Sequence, residues 1–187
     1  LAQLPFTPTA AQQRVTGEIS ADLEQPRPML RLLQGDVGSG KTLVAACAAI
    51  QAIGNGYQVA IMAPTEILAE QHWQTFQDWL APLNIELEWL TGRLKGKKRE
   101  RIIAKISSGH AALVIGTHAL FQGEVNFARL GLVIVDEQHR FGVHQRLALT
   151  EKGTAGARPH QLVMTATPIP RTLSMVAYAD LDCSVID

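Results

Sequence analysis

The sequence has only two cysteines among its 187 residues, carries no net charge and lacks any long hydrophobic run, and each shortage excludes a class of protein. Cys47 and Cys183 are too few for a disulfide-stapled mini-protein, so we expect both to be reduced and packed as small hydrophobic side chains. The longest wholly apolar run, residues 43–50, is far shorter than the ~18 residues that indicate a membrane span. We therefore predict a cytoplasmic protein without a membrane partner.

The composition points to one folded domain. Apolar residues make up 47% of the chain, which is enough for a substantial core and excludes a disordered tail. The chain does not open with a basic stretch followed by an apolar one, so no signal peptide is predicted. The first residue is Leu1 and not Met, which suggests that the chain was cut from a longer protein.

Short apolar runs alternate with segments of helical period along the chain. Runs that are apolar at consecutive positions are typical of strands covered on both faces. We therefore predict an α/β fold, with a mostly parallel sheet of about seven strands flanked by helices on both faces. The predicted strands are residues 29–33, 58–63, 86–90, 112–117, 132–136, 161–165 and 183–186. The predicted helices are residues 9–23, 43–50, 65–80 and 97–107, with Gly109 ending the last of them.

A glycine-rich loop of the form G-x-x-x-x-G-K-T follows the first predicted strand and leads directly into a helix. Glycines let successive backbone N–H groups turn toward phosphate oxygens, and the helix N-terminus adds a positive partial charge. Lys41 would reach the β- and γ-phosphates of ATP, and the Thr42 hydroxyl would bind Mg²⁺. The predicted nucleotide-binding residues of this loop are Gly35, Asp36, Val37, Gly38, Ser39, Gly40, Lys41 and Thr42.

An acidic pair at the end of a second apolar strand supplies the carboxylates that such a loop needs. Asp136 closes the run Leu-Val-Ile-Val, and Glu137 follows it. Asp136 would hold Mg²⁺ through a water, because this small cation keeps much of its hydration shell. Glu137 would orient or deprotonate the attacking water of a phosphoryl-transfer reaction.

Four segments resemble motifs of superfamily 2 helicases, and together they are most similar to the RecG-type DNA helicases. Residues 136–143, DEQHRFGV, resemble motif II, and residues 165–172, TATPIPRT, resemble motif III and its extension. Residues 63–72, APTEILAEQH, resemble motif Ia, and residues 115–118, IGTH, resemble a further DNA-contact motif. The resemblance covers essentially the whole chain, with the motifs in the family order.

The resemblance implies that residues 1–187 form one RecA-like P-loop domain, the first of two motor domains in an ATP-dependent DNA helicase. The expected partners are branched or duplex DNA, and the second RecA-like domain and N-terminal wedge domain of the same full-length chain. In the full protein, ATP hydrolysis would drive translocation and the remodelling of forks and junctions. Because half of the ATP site would come from the second domain, we expect the isolated chain to hydrolyse ATP poorly.

The resemblance also assigns roles to single residues. Phe6 and Gln12 fit the segment that recognises adenine, with packing and surface polarity as the alternative. Gln138 and His139 would sense the γ-phosphate, with a buried, satisfied histidine as the alternative for His139. Thr165 and Thr167 are expected to couple ATP hydrolysis to movement on DNA through their hydroxyls. A turn formed by two threonines would have the same sequence.

A basic segment changes the meaning of the zero net charge. Residues 93–105 carry seven basic side chains and one acidic one, so +6 is concentrated there and −6 is spread over the rest. Such a segment suits a phosphate backbone, although a solvated basic helix would have the same composition. The expected DNA contacts are Arg93, Lys97 and Lys98 in this segment, and Pro64, Thr65, Thr117 and His118 in the helicase-like motifs.

Three other functions remain open at the level of sequence. The TATPIPR segment is shared with transcription-repair coupling factors, so a translocase of that type is the nearest alternative. A P-loop kinase for a small metabolite would need an arginine-bearing lid, for which no segment stands out. A nucleic-acid-binding module with a vestigial loop conflicts with the complete set Lys41, Thr42, Asp136 and Glu137.

Overall fold

The computed structural model of the chain describes residues 7–136, 158–167 and 181–187. Four α-helices lie within these ranges: α1 (Ala10–Leu23), α2 (Lys41–Gly54), α3 (Glu66–Leu80) and α4 (Gly96–Ser107). The seven strands are β1 (Leu30–Gly35), β2 (Gln58–Met62), β3 (Leu87–Leu90), β4 (Leu113–Gly116), β5 (Leu130–Asp136), β6 (His160–Thr165) and β7 (Asp182–Ile186). Each predicted strand and helix is present, and α2 is longer than predicted by two residues at its start and four at its end.

The seven strands form one sheet in the order β3-β4-β2-β5-β6-β1-β7, and all of the pairs between neighbours are parallel. This topology confirms the predicted parallel α/β architecture. Because the strands are parallel, all of their carboxyl ends lie at one edge of the sheet, which is where ligands bind in this class of fold.

The core lies in two layers, one on each face of the sheet. Alternate residues of β2 divide between them: Val59 and Ile61 pack with α1, α2 and α3, whereas Ala60 and Met62 pack with α4. The predicted placement of helices on both faces is therefore confirmed. In α4 the buried side chains are Ile102 and Ile106, one helical turn apart, so a single apolar stripe holds this otherwise basic helix on the sheet.

Threonine caps fix where two of the helices begin. The Thr9 hydroxyl accepts the Gln12 N–H and the Gln12 carboxamide accepts the Thr9 N–H, a reciprocal capping box at the start of α1. The Thr65 hydroxyl accepts the Leu68 N–H at the start of α3. Thr65 follows β2 closely, so this cap places the start of α3 at the carboxyl edge of the sheet.

The two cysteines differ in their surroundings. Cys47 is half-buried in α2, where burial raises the pKa of its thiol. Cys183 lies exposed on β7, so the prediction that it packs inside was wrong. Among the described strands, β7 has a neighbour on one side, β1, and its burial alternates, which leaves Cys183 on the outward side.

Among the described residues, no helix combines the length and the apolar character that crossing a membrane would require.

Candidate nucleotide site and adjoining sheet edge

The glycine-rich loop adopts the backbone conformation that its sequence predicts. It leaves β1 at Gly35 and enters α2 at Lys41, and Gly38 and Gly40 have φ values of 83° and 87°. These values lie in the left-handed region, which an L-residue with a Cβ adopts only at a cost. At Gly40 a Cβ would also come within 2.2 Å of the Gln12 amide nitrogen, so a side chain there would displace the Gln12 carboxamide from the loop.

Two side chains of the loop are turned inward. The Lys41 ammonium donates to the carbonyl oxygens of Gly35, at 2.6 Å, and Asp36, at 2.8 Å, which holds it against the loop backbone. The Ser39 hydroxyl is buried without a hydrogen-bond partner among the described residues. A buried hydroxyl without a partner costs free energy, and it is a group that a bound polyanion could satisfy.

Gln12 contacts the loop directly. Its amide nitrogen donates to the Ser39 carbonyl at 2.8 Å, while its amide oxygen serves the Thr9 cap. The capping box of α1 therefore links the start of that helix to the nucleotide loop, a connection that sequence spacing did not reveal. Phe6, the other residue of the expected adenine site, lies outside the described residues.

Asp136 ends β5, two strands away from the loop. The strand between them is β6, where Met164 is paired with Asp136 on one side and with Leu33 on the other. At ~4.8 Å per strand, the chains of β5 and β1 are roughly 10 Å apart at this level. A hydrated cation and a phosphate chain fill a gap of that order, so the spacing suits the predicted roles of Thr42 and Asp136.

A histidine that sequence reasoning missed contacts this carboxylate. The Nε2 atom of His72, in α3, lies 2.7 Å from Oδ2 of Asp136, and both side chains are largely buried. The two residues are 64 positions apart, so no local pattern signals the contact. The only available signal was a polar residue on the buried stripe of α3.

The remaining predicted residues of the nucleotide site divide into two groups. Thr165, at the end of β6, is 2% exposed, and its hydroxyl accepts the Thr167 N–H at 3.1 Å. This is a threonine turn, placed between the strands that carry the loop and Asp136. The predicted catalytic residues Glu137, Gln138 and His139 lie outside the described residues.

The expected DNA-contact segments meet at the other half of the same edge. Pro64 and Thr65 follow β2, Thr117 and His118 follow β4, and the two strands are neighbours. The Ala63 N–H donates to the Gly116 carbonyl at 2.9 Å, which fixes the two segments side by side. Thr117 is only 4% exposed, so His118 presents the accessible side chain of that pair.

Ion pairs neutralise part of the basic segment. Arg93 contacts Glu66 at 2.6 Å, Arg99 contacts Glu124, and Lys105 contacts Glu86 and Glu88. The acidic partners lie outside residues 93–105, so the local charge of +6 overstates the field of this surface. Within residues 93–105, the exposed basic residues that form no ion pair with a described acidic side chain are Lys95, Lys97, Lys98 and Arg101.

The described side chains fit a nucleotide with Mg²⁺ better than a resident metal. No group of three or more His, Cys, Asp or Glu side chains in residues 7–136, 158–167 and 181–187 could hold a metal ion by itself. A phosphate-bound Mg²⁺ needs only one or two protein ligands, because the phosphates and waters supply the rest. The Thr42 hydroxyl and the Asp136 carboxylate match that requirement.

Comparison with known proteins identifies relatives over the whole chain. A family model described as DEAD/DEAH box helicase matches residues 9–176. The chain is 68% identical to the ATP-dependent DNA helicase RecG of Pasteurella multocida and 64% identical to that of Escherichia coli K12, in each case over 100% of this chain. It spans 27% of the length of each of these relatives.

Two solved structures show the same architecture. A structure of RecG bound to a three-way DNA junction superimposes over 100% of this chain and 25% of that one, with a TM-score of 0.85 and 41% sequence identity. The helicase domain of Pyrococcus furiosus Hef superimposes with a TM-score of 0.71 at 22% identity over 95% of this chain and 38% of that one, which shows a shared fold. These matches confirm the RecA-like fold and the resemblance to RecG, and they favour that resemblance over the kinase and coupling-factor alternatives.

Proposed function

The chain belongs to the DEAD/DEAH box helicase family, and we propose that it is the first motor domain of a RecG-like helicase, one that couples ATP hydrolysis to movement on duplex DNA. Membership of this family implies nucleotide binding. ATP as the nucleotide, Mg²⁺ as its metal, and forks and junctions as the DNA substrates form the finer part of the proposal. The matched relatives are about four times longer than the chain, so their additional domains would complete the activity.

One observation carries the proposal: a complete phosphate-binding loop and a strand-end carboxylate lie at the same sheet edge as the two DNA-motif segments. The sheet order places β1, β6 and β5 under the nucleotide residues and β2 and β4 under Pro64, Thr65, Thr117 and His118. β5 and β2 are neighbours, so the two sets of residues share one continuous scaffold.

Each side chain of the nucleotide site has a chemical task in this proposal. The loop N–H groups and the start of α2 would cradle the phosphates, and Lys41 would move from its carbonyl partners to the β- and γ-oxygens. Thr42 and Asp136 would hold Mg²⁺, which when bound neutralises the phosphate charge that develops during hydrolysis. Gln12, with Phe6, would complete the adenine end, and Glu137 would position the attacking water.

Coupling of ATP hydrolysis to DNA movement would require residues that connect the nucleotide half and the DNA half of the carboxyl edge of the sheet. Thr165 and Thr167 would respond to changes at the γ-phosphate reported by Gln138 and His139. A second RecA-like domain would close over the same edge and supply the missing half of the ATP site. A wedge domain would engage branched DNA, so residues 1–187 would act as the nucleotide-binding half of the motor.

The Lys41→Ala substitution tests the nucleotide site. A hydrogen bond to a charged group contributes about 1.5–3 kcal/mol, so its loss should weaken ATP binding roughly 10- to 100-fold. Binding is measured by titration of a fluorescent ATP analogue into the full-length protein. Lys95→Ala, which removes an exposed lysine from the far half of the edge, is the matched control. Equal binding by the Lys41→Ala variant and its control would refute the nucleotide site.

A further inference from the structure

The contact between α3 and the end of β5 joins a helix to the carboxylate expected to hold the metal. His72 is 9% exposed, and its Nε2 atom lies 2.7 Å from Oδ2 of Asp136. An ionised carboxylate has no proton to donate, so His72 must carry the proton on Nε2 and donate to Asp136. A hydrogen bond to an ionised acceptor is shorter and stronger than a neutral one, in agreement with the observed distance.

The imidazole ring is itself held by packing. The ring of Phe76, one turn further along α3, meets it edge to face at a centroid distance of 6.5 Å and an interplanar angle of 67°. Ala69, Phe76 and Leu80 bury the same side of α3 against the sheet. His72 is therefore a fixed donor on a rigid element, and it restricts the rotation of the Asp136 side chain.

We propose that His72 is a positioning residue for the metal site: it orients the Asp136 carboxylate so that the carboxylate can hold Mg²⁺ with the bound nucleotide. This inference rests on the proposed function, in which Asp136 has that role. The hydrogen bond uses Oδ2, which leaves Oδ1 for the metal or its water shell. Partners that orient a metal ligand in this way typically change metal affinity by about 10- to 100-fold.

The position of His72 in α3 extends the inference toward the DNA side. The same helix begins at the Thr65 cap, seven residues earlier, in the segment that is expected to contact DNA. At 1.5 Å per residue, the cap and His72 are roughly 10 Å apart along the helix axis. One rigid helix thus connects the DNA half of the edge to the carboxylate of the nucleotide half.

Two substitutions of similar size distinguish the role of the His72 N–H donor from the role of its packing. His72→Gln keeps an N–H at nearly the reach of Nε2, and His72→Leu removes it while still filling the space beside Phe76. Binding of a fluorescent ADP analogue is measured in EDTA, where no Mg²⁺ is available, and then at increasing Mg²⁺ concentrations. The quantity compared is the Mg²⁺ concentration that gives half of the gain in binding over the EDTA value. We expect His72→Leu to raise this concentration about 10-fold and to leave binding in EDTA unchanged, and His72→Gln to recover it to within about 3-fold of the wild type.

The controls distinguish this inference from the proposed function. His110→Leu removes an exposed histidine and should leave the Mg²⁺ requirement unchanged. In an Asp136→Asn background, His72→Leu should add little, because its effect passes through that carboxylate. If the leucine variant does not fold, His72→Asn replaces it, since the shorter amide cannot reach Oδ2.

Three results would overturn the inference. They are an unchanged Mg²⁺ requirement in the variant without the donor, an equal loss of binding with and without Mg²⁺, and a glutamine variant no better than the leucine variant. In all three cases the wild-type protein still binds nucleotide in a Mg²⁺-dependent way. A wild-type protein without that binding would instead refute the proposed function.

Discussion

At the amino end of β2, the Gln58 carboxamide is buried and uses its hydrogen-bonding capacity on three separate segments. Its amide nitrogen donates to the carbonyl oxygens of Ile106, at 2.9 Å, and Ala111, at 2.8 Å, and its amide oxygen accepts the Arg129 N–H at 2.9 Å. One side chain therefore satisfies backbone groups at the end of α4, before β4 and before β5. Such a fully bonded polar group rigidifies a core without the penalty of an unmet partner.

Replacing Gln58 by Leu removes the hydrogen bonds of its side chain to the Ala111 carbonyl and the Arg129 N–H, whereas the Ile106 carbonyl still accepts the Gly109 N–H at 3.1 Å. An unsatisfied buried group costs about 1–3 kcal/mol, and partial relaxation offsets some of the sum, so we expect a loss of about 3 kcal/mol in the free energy of unfolding. Urea denaturation followed by circular dichroism measures the change. Gln74→Leu, at an exposed position of α3, should change the same quantity by less than about 0.5 kcal/mol. Similar values for the two variants would contradict the account.

For single residues, sequence analysis identifies the functional side chains that belong to a local motif. It misses those whose hydrogen-bond partners lie in distant elements. Lys41 and Thr42 are recognisable because the loop and the helix that follow β1 are contiguous in the chain. His72 and Gln58 each look like one more polar residue in an apolar segment. Their partners lie 64 and up to 71 positions away, so only the fold brings them together.

The charges at the start of α4 oppose the dipole of that helix. Its cap position is Lys95, which makes no side-chain cap hydrogen bond, and Gly96 follows with φ 62°. Lys97 and Lys98 then place positive charge at the positive end of the helix, which costs up to about 1 kcal/mol. Burial of Ile102 and Ile106, and the contacts of Arg99 with the loops after β3 and β4, compensate for this arrangement.

At the carboxyl end of α4, Lys105 places positive charge where it suits the helix dipole, and it forms an ion pair that predicts a dependence of stability on pH. The hydrogen bond from Lys105 to Glu86 lowers the pKa of the Glu86 carboxyl below 4.5. A depressed carboxyl pKa stabilises the fold above the unfolded value, and this contribution is lost as the pH falls through the folded one. Lys105→Met should therefore lower the free energy of unfolding at pH 7, and its difference from the wild type should shrink below pH 4.5. Because the Glu86 side chain is 46% exposed, we expect its share of the effect to be small; Glu88, whose side chain is 16% exposed, loses the same partner.

Chemical denaturation of both proteins between pH 3 and pH 7 measures that difference. Lys98→Met is the matched control on the same helix, since no acidic partner of Lys98 appears within the described ranges. A Lys105→Met deficit that stays constant across this range would show that the ion pair is not its cause.

For helices and strands, too, local sequence patterns are predictable and contacts between distant elements are not. Apolar runs and helical periods depend on neighbouring residues, and all seven strands and four helices were predicted from them. The charge of residues 93–105 was overestimated because Glu66, Glu86, Glu88 and Glu124 pair with it from other parts of the chain. Ion pairs between elements depend on the tertiary fold, which composition does not contain.

At the scale of the whole molecule, the exposed lysines at the start of α4 add positive charge near the carboxyl edge of the sheet. Lys97 and Lys98 begin α4, which follows the carboxyl end of β3 and so adjoins the proposed DNA segments. If both lysines contact phosphates, then Lys97→Glu and Lys98→Glu should each weaken duplex DNA binding. Each should also reduce the slope of log K against log [salt] by about 1. Fluorescence anisotropy of a labelled duplex over a range of salt concentrations measures both quantities.

Arg27→Glu provides the control for total charge. Arg27 is exposed and precedes the amino end of β1, at the opposite edge of the sheet, and its reversal changes the net charge by the same amount. It should leave the salt slope unchanged. An equal reduction in slope for all three variants would mean that total charge, and not this surface, governs DNA binding.

The strand order also determines when the molecule can assemble. β1 leads into the nucleotide loop, yet both of its neighbours, β6 and β7, come from the end of the chain. The Met29 N–H finds its acceptor on His160, 131 residues later. At about 5–20 residues per second, a ribosome needs roughly 7 to 26 s to supply that partner. During this interval the apolar β1 has no strand to pair with, while β2 to β5 can already pair among themselves. The glycine-rich loop is thus among the last parts of the sheet to be secured, and the apolar side chains of β1 stay exposed in the nascent protein until β6 and β7 are made.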